Sequence, residues 1–101
     1  MTQNDIIDAC CKAWNITKAD ILGKRRYRQI SSAKHYARYL MSRRLGMASV
    51  QIAKVYGCKH STVLNSLKQV EAWNWQYSGN LQEQLLAAEA DRILKKGGHN
   101  V

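Results

Sequence analysis

Two short segments of the chain carry side chains that could bind an anion. The run Gly23-Lys24-Arg25-Arg26-Tyr27-Arg28 holds four cations within five consecutive positions, and the run Lys59-His60-Ser61-Thr62 offers an ammonium, an imidazole and two hydroxyls. Guanidinium and ammonium groups donate to phosphate or carboxylate oxygens, and hydroxyls both donate and accept. Both runs therefore predict recognition by ion pairing and hydrogen bonding rather than covalent catalysis.

The positive charge of the chain is concentrated around these two segments. The formal net charge is +9, and the stretch from Ile21 to Val70 contains eleven Lys or Arg and no Asp or Glu. A solvated surface ordinarily mixes both signs, because unrelieved repulsion destabilises a compact domain. We therefore expect a polyanionic partner, and the phosphate backbone of a nucleic acid is the commonest one.

The cysteines and histidines do not form the pattern of a metal centre or an activated nucleophile. Cys58 and His60 supply two ligands, fewer than a tetrahedral site needs. Adjacent Cys10 and Cys11 predict small apolar groups in a reducing cytoplasm, without the His and carboxylate that would activate a thiol. No apolar run is long enough to cross a membrane. We predict a cytoplasmic, nucleoid-associated protein that is not an enzyme, with no catalytic residue, metal, cofactor or membrane contact.

Glycines divide the chain into segments of helical length, which predicts an all-α fold of five or six helices. A glycine after such a segment ordinarily supplies the left-handed residue that ends a helix. The expected helices begin at Asn4 or Asp5, at Lys18 after a Thr17 cap, at Ser31 or Ser32, at Ser49, after a cap at Ser61 or His60, and at Asn80. Their expected ends are Trp14, Gly23, Gly46, Gly57, Ala72 and the Gly97–Gly98 pair.

Apolar residues at helical spacing predict which faces are buried. In the third helix the expected buried stripe is Ile30, Ala33, Ala37, Leu40 and Met41, with Lys34, His35, Arg38 and Ser42 on the polar side. In the last helix the expected docking face is Leu81, Leu85, Ala88 and Ile93. We divide the chain into a DNA-binding domain, 1–72, and an aromatic connection with a docking helix, 73–101. Trp73, Trp75 and Tyr77 are expected to pack in that connection, and stacking on single-stranded bases is the alternative.

Residues 49–68 have the layout of a helix-turn-helix. Ala53 is small where two helices cross closely, Gly57 permits a turn with positive φ, and Val63 fills the angle between the helices. In such a motif the first residues of the second helix enter the major groove of duplex DNA. An ordinary helical hairpin is the alternative interpretation.

The side chains of this segment suggest separate roles on double-stranded DNA. Lys59 can donate to guanine, the Thr62 methyl can contact a thymine methyl, and Asn65 can pair with adenine. His60 can donate to a base or a phosphate. Lys54 and Lys68 are better placed to contact phosphates, which set the register of a protein on DNA but carry no sequence information.

The basic loop at 23–28 and the run Tyr56-Gly57-Cys58-Lys59-His60-Ser61-Thr62-Val63-Leu64 together resemble the C-terminal DNA-binding domain (domain IV) of the bacterial replication initiator DnaA. That family carries Lys-Arg-Arg-x-Arg in a basic loop and Gly-Gly-Arg-Asp-His-Thr-Thr-Val at the recognition helix, on a fold like that of the Trp repressor. The likeness extends over residues 5–71, with both motifs in the same order and at nearly the same spacing.

The resemblance implies roles for residues that spacing alone does not assign. It implies that Arg26 enters the minor groove, with Lys24, Arg25 and Arg28 beside it. It implies that Lys34 and His35 contact the DNA backbone, and that His60, Ser61 and Thr62 meet bases and backbone in the major groove. For His35, a half-buried position on the helix is the alternative. Control of replication or transcription is the implied process.

Two departures from the family pattern bear on the DNA sequence recognised. Lys59 stands where the family has an Asp, and a lysine prefers guanine or phosphate to the cytosine N4 that an Asp would accept from. The turn is also one residue shorter, which would change the direction of the second helix. The chain lacks Gly-x4-Gly-Lys-[Ser/Thr], so no nucleotide binding through a P-loop is expected.

Other partners are compatible with the same charge. A basic adaptor that binds an acidic protein is one alternative, and a single-strand or RNA binder is another. A weak homodimer through the last helix, or a complex with a replication or regulatory protein, is a further expectation. Within the DNA-binding hypothesis, the chain could also compete with a full-length initiator for its sites.

Overall fold

The computed structural model describes residues 2–23, 27–73 and 81–98, and the regular secondary structure in these ranges is entirely helical. The helices are α1 (Gln3–Trp14), α2 (Lys18–Leu22), α3 (Arg28–Leu45), α4 (Ser49–Tyr56), α5 (His60–Ala72) and α6 (Leu81–Gly98). The predicted all-α class with six helices is therefore confirmed. None of the described helices combines the length and the apolar character needed to span a lipid bilayer.

Threonine capping boxes begin α1 and α2. Thr2 accepts a hydrogen bond from the Asp5 N–H at 3.2 Å, and the Asp5 carboxylate accepts from the Thr2 N–H at 2.8 Å. Thr17 and Asp20 repeat this arrangement at 3.1 and 3.2 Å. Each box satisfies backbone N–H groups at the start of its helix and places a carboxylate at the positive end of the helix dipole. The predicted Thr17 cap is confirmed, whereas α1 starts before the expected Asn4 or Asp5 because Thr2 is its cap.

Glycines follow three of the helices, and two of these glycines have the expected left-handed conformation. Gly46 and Gly57 take left-handed conformations with φ of 64° and 61° after α3 and α4. Gly23 follows α2 with φ of −83°, so the expected left-handed conformation is wrong there. A Cβ at Gly23 would lie 2.7 Å from the carbonyl oxygen of Ala19. Close approach to the last turn of α2 is therefore what requires a glycine at position 23.

The central helix is α3, which contacts α1, α2, α4 and α5. Its predicted buried stripe is confirmed in full: Ile30, Ala33, Ala37, Leu40 and Met41. The helix starts at Arg28, earlier than the expected Ser31 or Ser32, with the extended residue Tyr27 as its N-cap. Because helices pack on several sides of α3, its expected polar face is wrong: Lys34 and Arg38 are buried, and His35 and Ser42 are half-buried.

The last helix, α6, packs against α1 through small residues. Ala87, Ala90 and Leu94 are buried, whereas Leu85 is 62% exposed and Ala88 is also exposed. The expected docking face is therefore wrong, apart from the half-buried Ile93, because alanines allow α6 to approach α1 more closely than leucines would. The side chain of Leu81 lies outside the described residues.

A hydrogen bond and a ring contact help to join the C-terminal part of the chain to α3. The Tyr36 hydroxyl donates to Asp91 Oδ1 at 2.8 Å, and the buried Trp73 ring stacks on Tyr36 with ring centroids 6.0 Å apart. Packing of Trp73 is thus confirmed, while Trp75, Tyr77 and the expected helix start at Asn80 lie outside the described residues. The division of the chain at residue 72 stays a prediction, and α6 shares one hydrophobic core with the preceding helices.

Candidate nucleic-acid interface

Helices α4 and α5 form the predicted helix-turn-helix. Ile52 and Val63 are fully buried, and Ala53 and Tyr56 are nearly so. The chain reverses at Gly57, where the N–H of Cys58 donates to the Ala53 carbonyl at 3.0 Å. Gly57 adopts this positive φ without the backbone strain that an L-residue would incur there. The spacing of small, left-handed and apolar residues thus predicted the motif correctly.

The first turn of α5 presents polar side chains to solvent. The helix begins at His60 with Lys59 as its N-cap, and no side chain caps it, so the expected cap at Ser61 or His60 is wrong. Lys59, His60 and Ser61 are exposed, and Thr62 is half-buried. A helix start without a capping side chain carries backbone N–H groups and the positive end of the dipole, which together favour an anion. The turn can therefore donate hydrogen bonds from both side chains and backbone.

Further polar residues extend this exposed surface along both helices. Asn65 and Lys68 are exposed on α5, and with Ser61 they follow the i, i+4, i+7 spacing of one helix face. Lys54 is exposed in the last turn of α4. The structure thus gives solvent access to the residues predicted for the major groove and to two of the predicted phosphate ligands.

The basic loop is described only at its two ends. Lys24, Arg25 and Arg26 lie outside the described residues, as does the side chain of Arg28. At one end, the Gly23 carbonyl accepts a hydrogen bond from the Lys34 ammonium at 2.5 Å. At the other end, Tyr27 is 68% exposed as the N-cap of α3. The loop therefore starts from a residue that is tied to α3.

Lys34 and His35 are placed differently from the expected phosphate contacts. Lys34 is only 8% exposed, and its ammonium faces the Gly23 carbonyl. The Nδ1 atom of His35 lies 2.8 Å from Ser66 Oγ. Burial, together with the nearby Arg38 and Lys34 charges, lowers the pKa of His35 to about 4. His35 is consequently uncharged at neutral pH and cannot attract a phosphate as a cation in this conformation.

Sequence reasoning missed a polar cluster between α3, α4 and α5. Arg38 donates to Ser66 Oγ at 2.9 Å, and its guanidinium lies 4.7 Å from the centroid of the Tyr56 ring. Ser66 is fully buried in the row of Val63 and Val70, which are also buried. A serine at an inward position of an otherwise apolar face was the available signal, because a buried hydroxyl requires hydrogen-bond partners.

Four of the described carboxylates engage groups away from the first turn of α5. Asp5 and Asp20 belong to the capping boxes, and Asp91 binds Tyr36. Glu71 pairs with Arg43 at 2.7 Å, at the opposite end of α5 from His60. The exposed start of α5 also lies within the stretch of sequence from Ile21 to Val70 that contains no Asp or Glu.

The cysteines behave as packing residues in this fold. Cys10 is fully buried, and burial raises the pKa of its thiol well above the usual range, so the group stays protonated. Within residues 2–23, 27–73 and 81–98, no three His, Cys, Asp or Glu side chains come together as metal ligands would.

The comparison with known proteins matches the sequence to one family. The protein-family model described as the bacterial dnaA protein helix-turn-helix matches residues 3–70. The chain belongs to this family. It therefore carries a DNA-binding helix-turn-helix domain, and the resemblance of its two motifs to domain IV of DnaA is confirmed.

Individual DnaA proteins are similar over the same region. The chain is 31% identical to the chromosomal replication initiator protein DnaA 2 of Protochlamydia amoebophila over 71 residues, and to DnaA of Thermomicrobium roseum over 72. Each match covers 70% of this chain and 16% of the relative. A third, DnaA of a Synechococcus strain, is 31% identical over 87 residues, covering 82% of this chain and 19% of the relative. The chain thus spans less than a fifth of the length of these initiators.

Proposed function

We propose that the chain binds duplex DNA sequence-specifically, with the first turn of α5 in the major groove and the basic loop in the adjacent minor groove. The observation that carries this proposal is the exposed, uncapped start of α5 directly after the Gly57 turn. A helix that presents its N-terminal turn in this way can enter a major groove without moving its own core.

In the major groove, each exposed residue has a chemically suitable contact. Lys59 donates to guanine O6 and N7, and Asn65 pairs with adenine through its amide. The Thr62 methyl contacts a thymine methyl, while His60 and Ser61 donate to a base or to the backbone. Because Lys59 replaces the acidic residue of the family pattern, we expect a preferred site richer in guanine at the base it faces.

In the minor groove, the proposed contacts come from Lys24, Arg25, Arg26 and Arg28. Arginine is favoured in the narrow minor groove of A·T-rich DNA, where the negative potential is strongest. The hydrogen bond from Lys34 to Gly23 supports this part of the proposal, since it fixes one end of the loop to α3. Lys34 is thus proposed to hold the start of the loop rather than to bind phosphate. Lys54 and Lys68, which lie outside the loop, are the proposed phosphate ligands.

The salt dependence of binding tests this proposal. If about six phosphates are neutralised, log K should fall with log salt concentration at a slope near −5. Fluorescence anisotropy with a labelled duplex, repeated over a range of KCl concentrations, measures that slope. Binding that does not depend on salt, or the absence of a duplex shift, would contradict a phosphate-contacting protein and favour an adaptor for an acidic protein partner.

A single-strand or RNA binder is less well supported. Trp73, one of the aromatic residues that could have stacked on bases, is only 6% exposed and its ring is stacked on Tyr36, so it offers no free face to a base. Competition of a labelled duplex by single-stranded DNA and by RNA of the same sequence separates these ligands.

The biological process we propose is control of replication or transcription, because the relatives are named as chromosomal replication initiators. The site itself is found by selecting bound duplexes from a randomised library. If the selected sequence matches sites bound by a full-length initiator, competition with that initiator is the expected role; an unrelated sequence favours a separate regulator.

A further inference from the structure

A buried arginine lies where three helices meet. Arg38 is 7% exposed on α3, donates from Nη1 to Ser66 of α5 at 2.9 Å, and stacks its guanidinium over Tyr56 of α4. Tyr56 is the last residue of α4 before the Gly57 turn. Arg38 therefore contacts both helices of the helix-turn-helix from the helix that follows the basic loop.

This arrangement is energetically unusual for a guanidinium. In the described residues, the ion pairs join Arg43, Arg44 and Arg92 to carboxylates, and none reaches Arg38. Its Nε atom is buried without a hydrogen-bond partner. Contact with Tyr56 offsets part of the desolvation of the charge. Residues that break a local rule of folding in this way are commonly ones that serve function.

The hydroxyl of Ser66 links this guanidinium to the first turn of α5. A serine hydroxyl has one donor and two acceptor lone pairs. Ser66 donates to the Thr62 carbonyl at 3.2 Å, which leaves both lone pairs for Arg38 and for a proton on His35 Nδ1. The side chains of Arg38 and His35 on α3 are thus connected, through the Ser66 hydroxyl, to the backbone of Thr62. Thr62 is one of the residues proposed to contact bases.

We infer that Arg38 and Ser66 are positioning residues that fix the orientation of the first turn of α5 and thereby determine which bases it contacts. This inference rests on the proposed function, because it concerns the selectivity of the same surface. Neither side chain need touch DNA: Ser66 is fully buried, and Arg38 acts through Ser66 and Tyr56.

The experiment compares two duplexes and four variants. One duplex is the sequence recovered by selection with the unaltered chain, and the other is a shuffled sequence of the same base composition. The variants are Arg38→Met, Ser66→Ala, the double variant, and Arg43→Met as a matched control. Arg43 lies on the same helix and also pairs with α5, but its partner Glu71 is at the far end, and both side chains are exposed.

The expected result is a loss of selectivity without a general loss of binding. Arg38→Met and Ser66→Ala should each reduce the preference for the selected duplex by about tenfold, within the usual coupling between contacting residues. The double variant should lose no more than either single variant, because each change already removes the hydrogen bond between Arg38 and Ser66. Arg43→Met should keep the preference unchanged.

The stability of the variants separates positioning from simple support of the fold. The double variant removes both partners of the Arg38–Ser66 contact, whereas Ser66→Ala alone leaves the buried guanidinium unpaired, so the double variant should unfold at a higher temperature than Ser66→Ala. A folded double variant that retains full preference overturns the inference while leaving DNA binding intact. Equal weakening on both duplexes also overturns it, since that is the result of a merely structural role. If the unaltered chain does not bind the duplexes at all, the proposed function fails together with the inference.

Discussion

The ammonium of Lys34 lies 2.5 Å from the carbonyl oxygen of Gly23. This contact joins the middle of α3 to the residue at which the basic loop begins, and it leaves Lys34 only 8% exposed. The family resemblance assigns this lysine to the DNA backbone, and we propose instead that it holds the start of the loop in place. Lys34 and the exposed Lys68 have the same chemistry but different surroundings, and they can be told apart in solution.

Replacing these two lysines should change the salt dependence of DNA binding differently. Lys68→Met should lower the magnitude of the log K against log salt slope by about 1, as expected when one phosphate contact is lost. Lys34→Met should leave the slope unchanged, because no phosphate contact is removed. It should weaken binding, because the start of the basic loop is no longer held to α3. The measurement is fluorescence anisotropy over a KCl series. Equal slope changes in the two variants would restore Lys34 as a phosphate ligand.

His60→Ala should reduce discrimination between DNA sequences. His60 is exposed in the first turn of α5, so its removal should leave thermal stability within about 0.5 kcal/mol of the unaltered chain. Loss of a base contact should cost about 1–3 kcal/mol on the selected duplex and little on a shuffled one. Titration of both duplexes measures this difference. An equal loss on both would identify His60 as a phosphate ligand instead.

Acid should destabilise the fold through His35. Burial and the neighbouring Arg38 and Lys34 charges lower its pKa from 6.5 to about 4 in the folded chain. The unfolded state therefore binds more protons between these values, and stability is lost as the pH falls from about 6.5 to about 4. We expect this group to contribute about 1 kcal/mol, after a discount for its partial exposure.

Urea unfolding of the unaltered chain and of His35→Gln, which cannot titrate, measures that contribution across the pH range. The unaltered chain should lose more stability on acidification than the variant does. Parallel pH profiles would show that His35 has the same pKa in the folded and unfolded chains, contrary to its contacts with Ser66 and Arg38.

Gly57→Ala should destabilise the domain through its backbone alone. The residue has φ of 61°, and a Cβ there would meet nothing within 4 Å. The left-handed conformation costs an L-residue about 1–2 kcal/mol, and less for asparagine, which adopts it more readily. Gly57→Ala should therefore lower the urea midpoint more than Gly57→Asn. If both variants unfold at the midpoint of the unaltered chain, the turn must take another conformation.

The start of α5 and the flanks of Gly57 could be predicted from the sequence because their signals are local. A small residue at 53, a glycine at 57 and a buried valine at 63 specify a turn between two helices by spacing and backbone conformation. The family resemblance agreed with this interpretation, because the residues that it assigns to the major groove lie in the first turn of the same helix, α5. The caps were predicted less well: Thr2 caps α1 in place of Asn4 or Asp5, since all three side chains are of types that can accept from a backbone N–H two or three residues later.

The faces of α3 and α6 show where local signals were insufficient. Periodicity correctly identified the stripe at Ile30, Ala37 and Met41, yet it also assigned Arg38 to solvent. In α6 the leucine pattern suggested one face, whereas Ala87 and Ala90 pack against α1. Periodicity states which residues share a face, but it does not state how many other helices pack around that face.

The sequence by itself determined the basic, carboxylate-free stretch, the helical class and the turn at Gly57, because charge and backbone preference belong to single residues and their near neighbours. Only the tertiary structure decided that Lys34, His35 and Arg38 turn inward, toward Gly23 and Ser66. A polar side chain on a helix can be either solvated or buried with partners, and the outcome depends on partners that lie distant in the chain.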